Sequence, residues 1–444
     1  MQGRLAWLGA ALLALTLGGA AIHAPGQLGI GSDRRRIAFV AVCLVAGLIY
    51  LLAVRLVLRG GTTPRTTWLV LAVALLLRAI VLPGPAFLSN DINRYVWDGR
   101  VQVAGINPYR YMPADPALAA LRDATVFPFI NRADTARTIY PPAAEALFFL
   151  TQWLASGVLA VKVAMVGAEL VAIGALLALL GRAGLPRAQI LVYAWHPLPV
   201  WEFAGNGHVD ALAIAFVALA LLAAAADRQA LAGIALAGAV LAKLLPGVLL
   251  PAIWRGSGAG RALGWKLPAA FVATLIAAYL PYLGVGADVL GFLPGYAGEE
   301  GITSGRGIYF INLIAQLVRL PPWAGRAYLA GGLAVLALLG VRMLARPVTA
   351  AGVAGDALLL GSVLMVLLTP HYAWYFAWLL APACVAPSWP VLVLTLLSFT
   401  IYQDPFGAKL LWPAVLYAPF FALLLLPAAW RQAPYVPAPA SRSR

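Results

Sequence analysis

Apolar runs of about 18 or more residues recur along the whole chain, the length a helix needs to cross a bilayer core. The pattern predicts spans near residues 5–22, 37–58, 67–83, 141–157, 159–181, 187–203, 209–226, 231–252, 267–284, 326–344, 354–369, 372–386, 389–403 and 408–428. A few are short enough to be half-crossings. The fold class is therefore all-α: a polytopic transmembrane bundle of about 11–14 spans, forming one integral membrane domain over residues 1–444. Two polar stretches interrupt the pattern, 83–140 and 285–323, and a short polar tail closes the chain at 433–444.

The first stretch opens with the densest chemical text, Ser89-Asn90-Asp91-Ile92-Asn93-Arg94-Tyr95-Val96-Trp97-Asp98. Ser89 or Asn90 reads as a helix N-cap and Gly105 as its stop. On that helix Asp91, Arg94, Tyr95 and Asp98 share one face, while Ile92, Val96, Gly99 and Val103 share another. Such a helix lies at a membrane surface with its polar face turned away from lipid. An ordinary interfacial helix with an i,i+3 ion pair has the same pattern. What favours chemistry is a carboxylate beside a cation and a phenol at a bilayer boundary, a setting suited to deprotonating a hydroxyl. Tyr140, before Pro141 and Pro142, marks the loop's return to the interface, with substrate binding as the weaker reading.

Composition changes this picture in one respect. Hydrophobic residues make up 63% and charged residues 11%, so a soluble enzyme, a disordered chain and a β-barrel porin are all excluded. The net charge of +15 would suggest nucleic acid in a soluble protein, but no basic, aromatic-interleaved soluble module is present to bind it. Basic residues instead flank apolar segments, where they orient spans and meet anionic lipid. Of the 16 acids, half fall in the two polar stretches: Asp91, Asp98, Asp115, Asp123, Asp134, Asp288, Glu299 and Glu300. The 2 cysteines, Cys43 and Cys384, sit in apolar runs, which argues against a disulfide framework or a zinc site. The first apolar run lacks a clear Ala-x-Ala cleavage site and is expected to be an anchor.

Arg255, Arg261 and Lys266, then Arg342 and Arg346, then Arg431, Arg442 and Arg444 favour cytoplasmic ends. Strict alternation then puts both acidic stretches outside. It also leaves Arg34, Arg35 and Arg36 outside against the rule, and puts the polar 205–210 stretch inside. A segment that does not cross would resolve the conflict, and 141–157 is the suspect.

Ionisable groups inside spans default to functional hypotheses. Lys162, Lys243, Lys266 and Lys409 are the only lysines, and Lys243 lies deep in an apolar run. Its ammonium either snorkels or needs an anion, for which a phosphate is the sharper reading. His208 and Asp210 are two apart and would not share a helix face, so this pair makes a poor metal site. A Gly- and Asn-rich helix start there suits an anion. His371, among Tyr372, Trp374 and Tyr375, is a candidate hydrogen-bond donor to a sugar or phosphate oxygen, although the aromatics alone would suit an interfacial belt. Glu145, Glu169 and Glu202 carry no assigned role. Small residues at 232–233 and 238–239 suggest close helix contact.

Asp91-x-x-x-Tyr95, Gly105-x-Asn107-Pro108-Tyr109 and Tyr140-Pro141-Pro142 together resemble the first external loop of the GT-C membrane glycosyltransferases. Gly207-His208-Val209-Asp210-Ala211-Leu212, Lys243-x-x-Pro246 and the 370–375 segment follow in the matching order, over about residues 88–382. The chain is most similar to bacterial polyprenyl-phosphate-mannose-dependent mannosyltransferases, many of which have Gly-Gln where this chain has Gly-His-Val-Asp. The resemblance implies roughly a dozen helices, an extracytoplasmic active site and Asp91 as catalytic base, with Asp98 as a second acid nearby.

The expected function is inverting transfer of a hexose, mannose by resemblance, from a polyprenyl-phosphate donor to a lipid or glycan acceptor. A sugar on lipid phosphate already carries a good leaving group, so one base and several cations suffice, whereas a glycosidase needs two carboxylates. Lys243, Arg94, Arg306 and His371 are the candidate cations. No divalent metal or other cofactor is called for, and the expected setting is a bacterial cytoplasmic membrane. A transporter or flippase would distribute charge through its spans and show paired broken helices. A glycan polymerase or ligase stays open through Arg100, Arg110, Arg122, Arg132 and Arg137.

Overall fold

The computed structural model describes residues 1–22, 33–254, 264–302, 304–344, 346, 349–403 and 410–427. Arg255, Arg261, Lys409, Arg431, Arg442, Arg444 and the tail at 433–444 lie outside the described residues. Among those described, regular structure is helical throughout, and 7 helices are long and apolar enough to cross a membrane. Much of their large apolar surface is exposed, as in Leu48, Trp68, Val163 and Leu333, which is what a lipid-facing bundle requires.

The bundle has a far end, which holds the chain start, and a site end. Helix α1 (Gln2–Ala21) begins at the far end, where Gln2 Nε2 donates to Thr63 Oγ1 at 2.8 Å. Helix α2 (Asp33–Leu58) starts at the site end and descends. Helix α3 (Pro64–Val81) climbs back, started by proline at its first position and by Thr63 N donating to Thr66 Oγ1. Helix α4 (Asp91–Val103) lies across the site end, followed by the loops of the first polar stretch.

Helix α5 (Pro142–Leu154) has 13 residues, about 20 Å, too short for a bilayer core of about 30 Å. It lies against α4: a Cβ on Gly99 would stand 2.3 Å from Phe148 O, so the two backbones touch. Helix α6 (Val158–Arg182) then begins at the site end, where Lys162 Nζ donates to Val81 O (3.2 Å) and Gly84 O (2.6 Å) beyond the end of α3. The 141–157 run therefore does not cross. This removes one reversal and brings 205–210 to the same end as α4, together with Arg36.

A second expected span also changes. The run 231–252 is broken at Lys243, whose φ of −151° and ψ of 136° end the helix Gln229–Ala242. Pro246 is the cause: its ring conflicts with the carbonyl four residues back, at Ala242, and it offers no N–H. The chain turns back down through the 3-10 turn Leu245–Leu249, and Pro251 packs against Gly340 near the far end of the helix Ala324–Leu344. Lys243 is thus placed at the site end of the bundle and not at mid-depth.

The helix Lys266–Tyr279 climbs beside Gln229–Ala242, where a Cβ on Gly233 would lie 2.3 Å from Leu267 O. The second polar stretch packs on the first. Phe292 N donates to Thr138 O (3.0 Å), Tyr282 Oη to Gln102 Oε1 (3.0 Å), and Arg137 pairs with Asp288 at 2.5 Å. Both acidic stretches therefore share one end. Cys43 and Cys384 are buried and free.

Candidate active site

Asp91 opens α4, where a carboxylate is favoured by the helix dipole. Its N–H donates to Ser89 Oγ (3.1 Å), and Gly105, at φ +76°, ends the helix as expected. The 205–210 segment supports this start from below. Asn206 Oδ1 accepts from Phe87 N (2.8 Å) and Leu88 N (2.7 Å), fixing the approach to Asp91. Gly207, at φ +74°, lets α4 settle, since a Cβ there would meet Ile92 Cδ1 at 2.4 Å.

Above this support is a cavity of about 580 Å³ between the two polar stretches and the helix ends. Asp91 is the single carboxylate among its described lining residues. Arg36, Arg94, Arg132, Arg137 and Lys243 supply positive charge, and Tyr140, Tyr296, Tyr372, Trp374, Tyr375 and Tyr402 supply aromatic walls. Asp91 Oδ1 accepts from Asn131 Nδ2 at 3.0 Å. Lys243 pairs with Asp210 at 3.3 Å and lies 4.7 Å from the centre of the Tyr375 ring. Tyr375 and Tyr296 hydroxyls meet at 2.9 Å, joining the 373–379 turn to the second polar stretch.

Of the residues singled out from sequence, Asp91, Arg94, Tyr140 and Lys243 line this cavity. The others are placed elsewhere. Asp98 is 2% exposed and holds Arg94 at 2.8 Å, while Arg94 Nη1 also donates to Ala136 O. Burial pushes the Asp98 carboxyl above its ordinary range, and the Arg94 guanidinium pulls against that. Tyr95 stacks on Phe148 with centroids 4.5 Å apart, packing α4 onto α5. The shared polar face of α4 is therefore split: its first turn meets the cavity and its second is a buried ion pair.

His208 and Asp210 stand behind the wall. His208 Nδ1 is 3.0 Å from Glu202 Oε2, and its ring stacks on Trp374 at 4.1 Å. Glu202 also accepts from Tyr402 Oη at 2.7 Å, so this buried carboxylate ties together two lining aromatics. Asp210 acts on the cavity through Lys243, which is the anion partner the lysine required. Arg306 is exposed and off the cavity. His371 faces Glu300 Oε2 (3.2 Å) and Gly307 O (2.8 Å) instead of the cavity, and Glu300 draws its pKa upward against burial.

Sequence reasoning missed Arg36, Asn131, Tyr296 and Tyr402 as lining residues. Arg36 had a signal, since three arginines on the wrong side of the charge rule needed a reason. Arg132 and Arg137 were noted only for the polymerase reading; they pair with Glu299 (2.6 Å) and Asp288 at the cavity rim. No group of three or more His, Cys, Asp or Glu side chains is arranged to hold a metal ion among the described residues.

A polytopic helical bundle with Asp91 and several cations around a cavity at its helix ends has the build of a membrane-embedded transferase. Residues 2–255 match the family model for the alpha-(1->6)-mannopyranosyltransferase N-terminal domain, and the chain belongs to that GT-C-type mannosyltransferase family. It is accordingly a membrane hexosyltransferase that transfers mannose. The match carries α4, Asp210 and Lys243, while the Tyr372–Tyr375 wall lies beyond it. No curated protein and no solved structure matches the chain.

Proposed function

We propose that the chain moves mannose from a polyprenyl-phosphate donor to a lipid or glycan acceptor, at the extracytoplasmic face of a bacterial cytoplasmic membrane. The observation that carries this reading is the pairing of one lining carboxylate, Asp91, with the surrounding arginines and Lys243. In a single displacement, the acceptor oxygen attacks the anomeric carbon while Asp91 takes its proton. The bond to the lipid phosphate breaks with its electron pair, and configuration at that carbon inverts. The departing phosphate is already a stable anion, so no second carboxylic acid is needed, in contrast to a glycosidase. Cations placed where negative charge develops are worth several kcal/mol in such a step. Arg36, Arg94, Arg132, Arg137 and Lys243 are the groups in position to meet that phosphate. The family's described linkage makes a 6-hydroxyl of an α-mannoside the natural acceptor.

The test uses purified full-length protein, synthetic polyprenyl-phosphate mannose and a short α-mannoside. Asp91→Asn is expected to abolish transfer while the protein still extracts as a monodisperse particle. Wild-type turnover in that variant rules out Asp91 as the base. Transfer from a nucleotide sugar but not from the polyprenyl donor rules out the donor class.

A further inference from the structure

The turn that closes the first polar stretch is strained and tightly held. Arg132 takes a left-handed φ of 55°, uncommon for a residue with a β-carbon and often found where function demands it. Its carbonyl accepts from Thr135 N (3.3 Å) and Ala136 N (3.0 Å), which fixes the conformation. The turn brings two consecutive side chains, Asn131 and Arg132, to the cavity. Asn131 Nδ2 donates to Asp91 Oδ1 at 3.0 Å and to Asn90 Oδ1 at 3.3 Å. The Asp91 carboxylate fixes the amide nitrogen on that side, because a carboxylate offers no proton. Asp91 Oδ2 accepts no hydrogen bond among the described residues.

We propose that Asn131 is the positioning residue for Asp91: it pins Oδ1 and presents Oδ2 alone to the acceptor hydroxyl. The proposal rests on Asp91 being the base. An aspartate carboxylate turns about a broad two-fold torsion, so an unheld one samples many planes. A general base must stand within hydrogen-bond reach of the proton it takes. A misplacement of about 1 Å costs on the order of 100-fold in rate. Asn131 is 40 residues from Asp91 in sequence, and the turn at 131–136 carries its side chain to Asp91.

The experiment compares Asn131→Ala and Asn131→Asp with wild type and Asp91→Asn, using polyprenyl-phosphate mannose and a short α-mannoside. For Asn131→Ala, kcat is expected to fall roughly 10- to 100-fold, with the donor KM within about twofold and the melting temperature in detergent unchanged. Asn131→Asp sets two carboxylates about 3 Å apart, which cannot both ionise easily, so the acid limb of the pH–rate profile moves up by about one unit or more. A merely structural residue would lower the melting temperature together with kcat, whereas the acid-limb shift in Asn131→Asp reports that position 131 faces the base. The proposal is overturned if Asn131→Ala keeps kcat within about twofold, or if Asn131→Asp leaves the acid limb unmoved, while Asp91→Asn is inactive. An active Asp91→Asn overturns the base itself, and the proposal with it.

Discussion

Lys243 and Asp210, 33 residues apart by number, meet at 3.3 Å where the helix start at Asp210 and the helix end at Ala242 come level. Both are largely buried, so removing either leaves the other charge without a partner, a change that costs about 3 kcal/mol or more. Lys243→Met and Asp210→Asn should each lower stability in detergent. The double variant should be less damaged than the sum, with a coupling of about 1–3 kcal/mol. Strict additivity in that cycle would show that the pair does not interact. Lys243→Met is also expected to lose more transfer activity than Asp210→Asn, because only the lysine reaches the cavity.

Gly207 bears the close approach of α4. Alanine there takes on the strain of a φ of +74° and puts its Cβ 2.4 Å from Ile92 Cδ1, so the Ile92 side chain at the start of α4 must shift. Gly207→Ala is expected to destabilise by roughly 1–2 kcal/mol from the backbone alone and to cut kcat through the displaced Ile92 beside Asp91. Adding Ile92→Ala should recover part of the activity, since it removes the clash. No recovery would mean that the backbone strain, not the contact, carries the effect.

Much of this architecture was legible in sequence, and the reasons differ by residue. Asp91 and Lys243 stood out because charge is so scarce in an apolar chain, and each proved to line the cavity. The failure of 141–157 to cross was signalled by its conflict with charge alternation. The break at Lys243 was written in Pro246, but an unbroken apolar run concealed it. Asn131, Tyr296 and Tyr402 had no local signal, since their places depend on contacts made across the fold. Tyr402 reaches Glu202 across 200 residues and Tyr296 reaches Tyr375 across 79. The split of α4 into a cavity turn and a buried turn was equally invisible, because helical periodicity gives a face and not the depth at which it is covered.

Asn206 holds the approach to Asp91 through a single oxygen. Asn206→Ala would remove the oxygen that accepts from Phe87 N and Leu88 N, at a cost of roughly 1–3 kcal/mol for the Leu88 amide alone. Asn206→Asp keeps the acceptor but loses the bond from Nδ2 to Trp201 O (2.7 Å), so its effect should be intermediate. Hydrogen exchange across residues 84–91 reads the result directly. Equal protection in wild type and Asn206→Ala would contradict this role.

His371 links the second polar stretch to the aromatic wall in a way that depends on pH. Its Nδ1 faces the Glu300 carboxylate and its Nε2 faces the Gly307 carbonyl, so both nitrogens donate only when the ring is protonated. The Glu300 hydrogen bond raises its pKa above the ordinary 6.5, with burial opposing. A histidine whose folded pKa is raised contributes stability that is complete below the unfolded value and lost as pH rises through the folded one. The contact between the helix Leu293–Glu299 and the 369–375 segment is thus expected to loosen as pH rises from about 6.5. Hydrogen exchange over 296–301, corrected for the intrinsic rise of exchange with pH, should show that loosening in wild type. His371→Gln and Glu300→Gln should each abolish the step. A variant that keeps the wild-type pH dependence would assign the loosening to some other group.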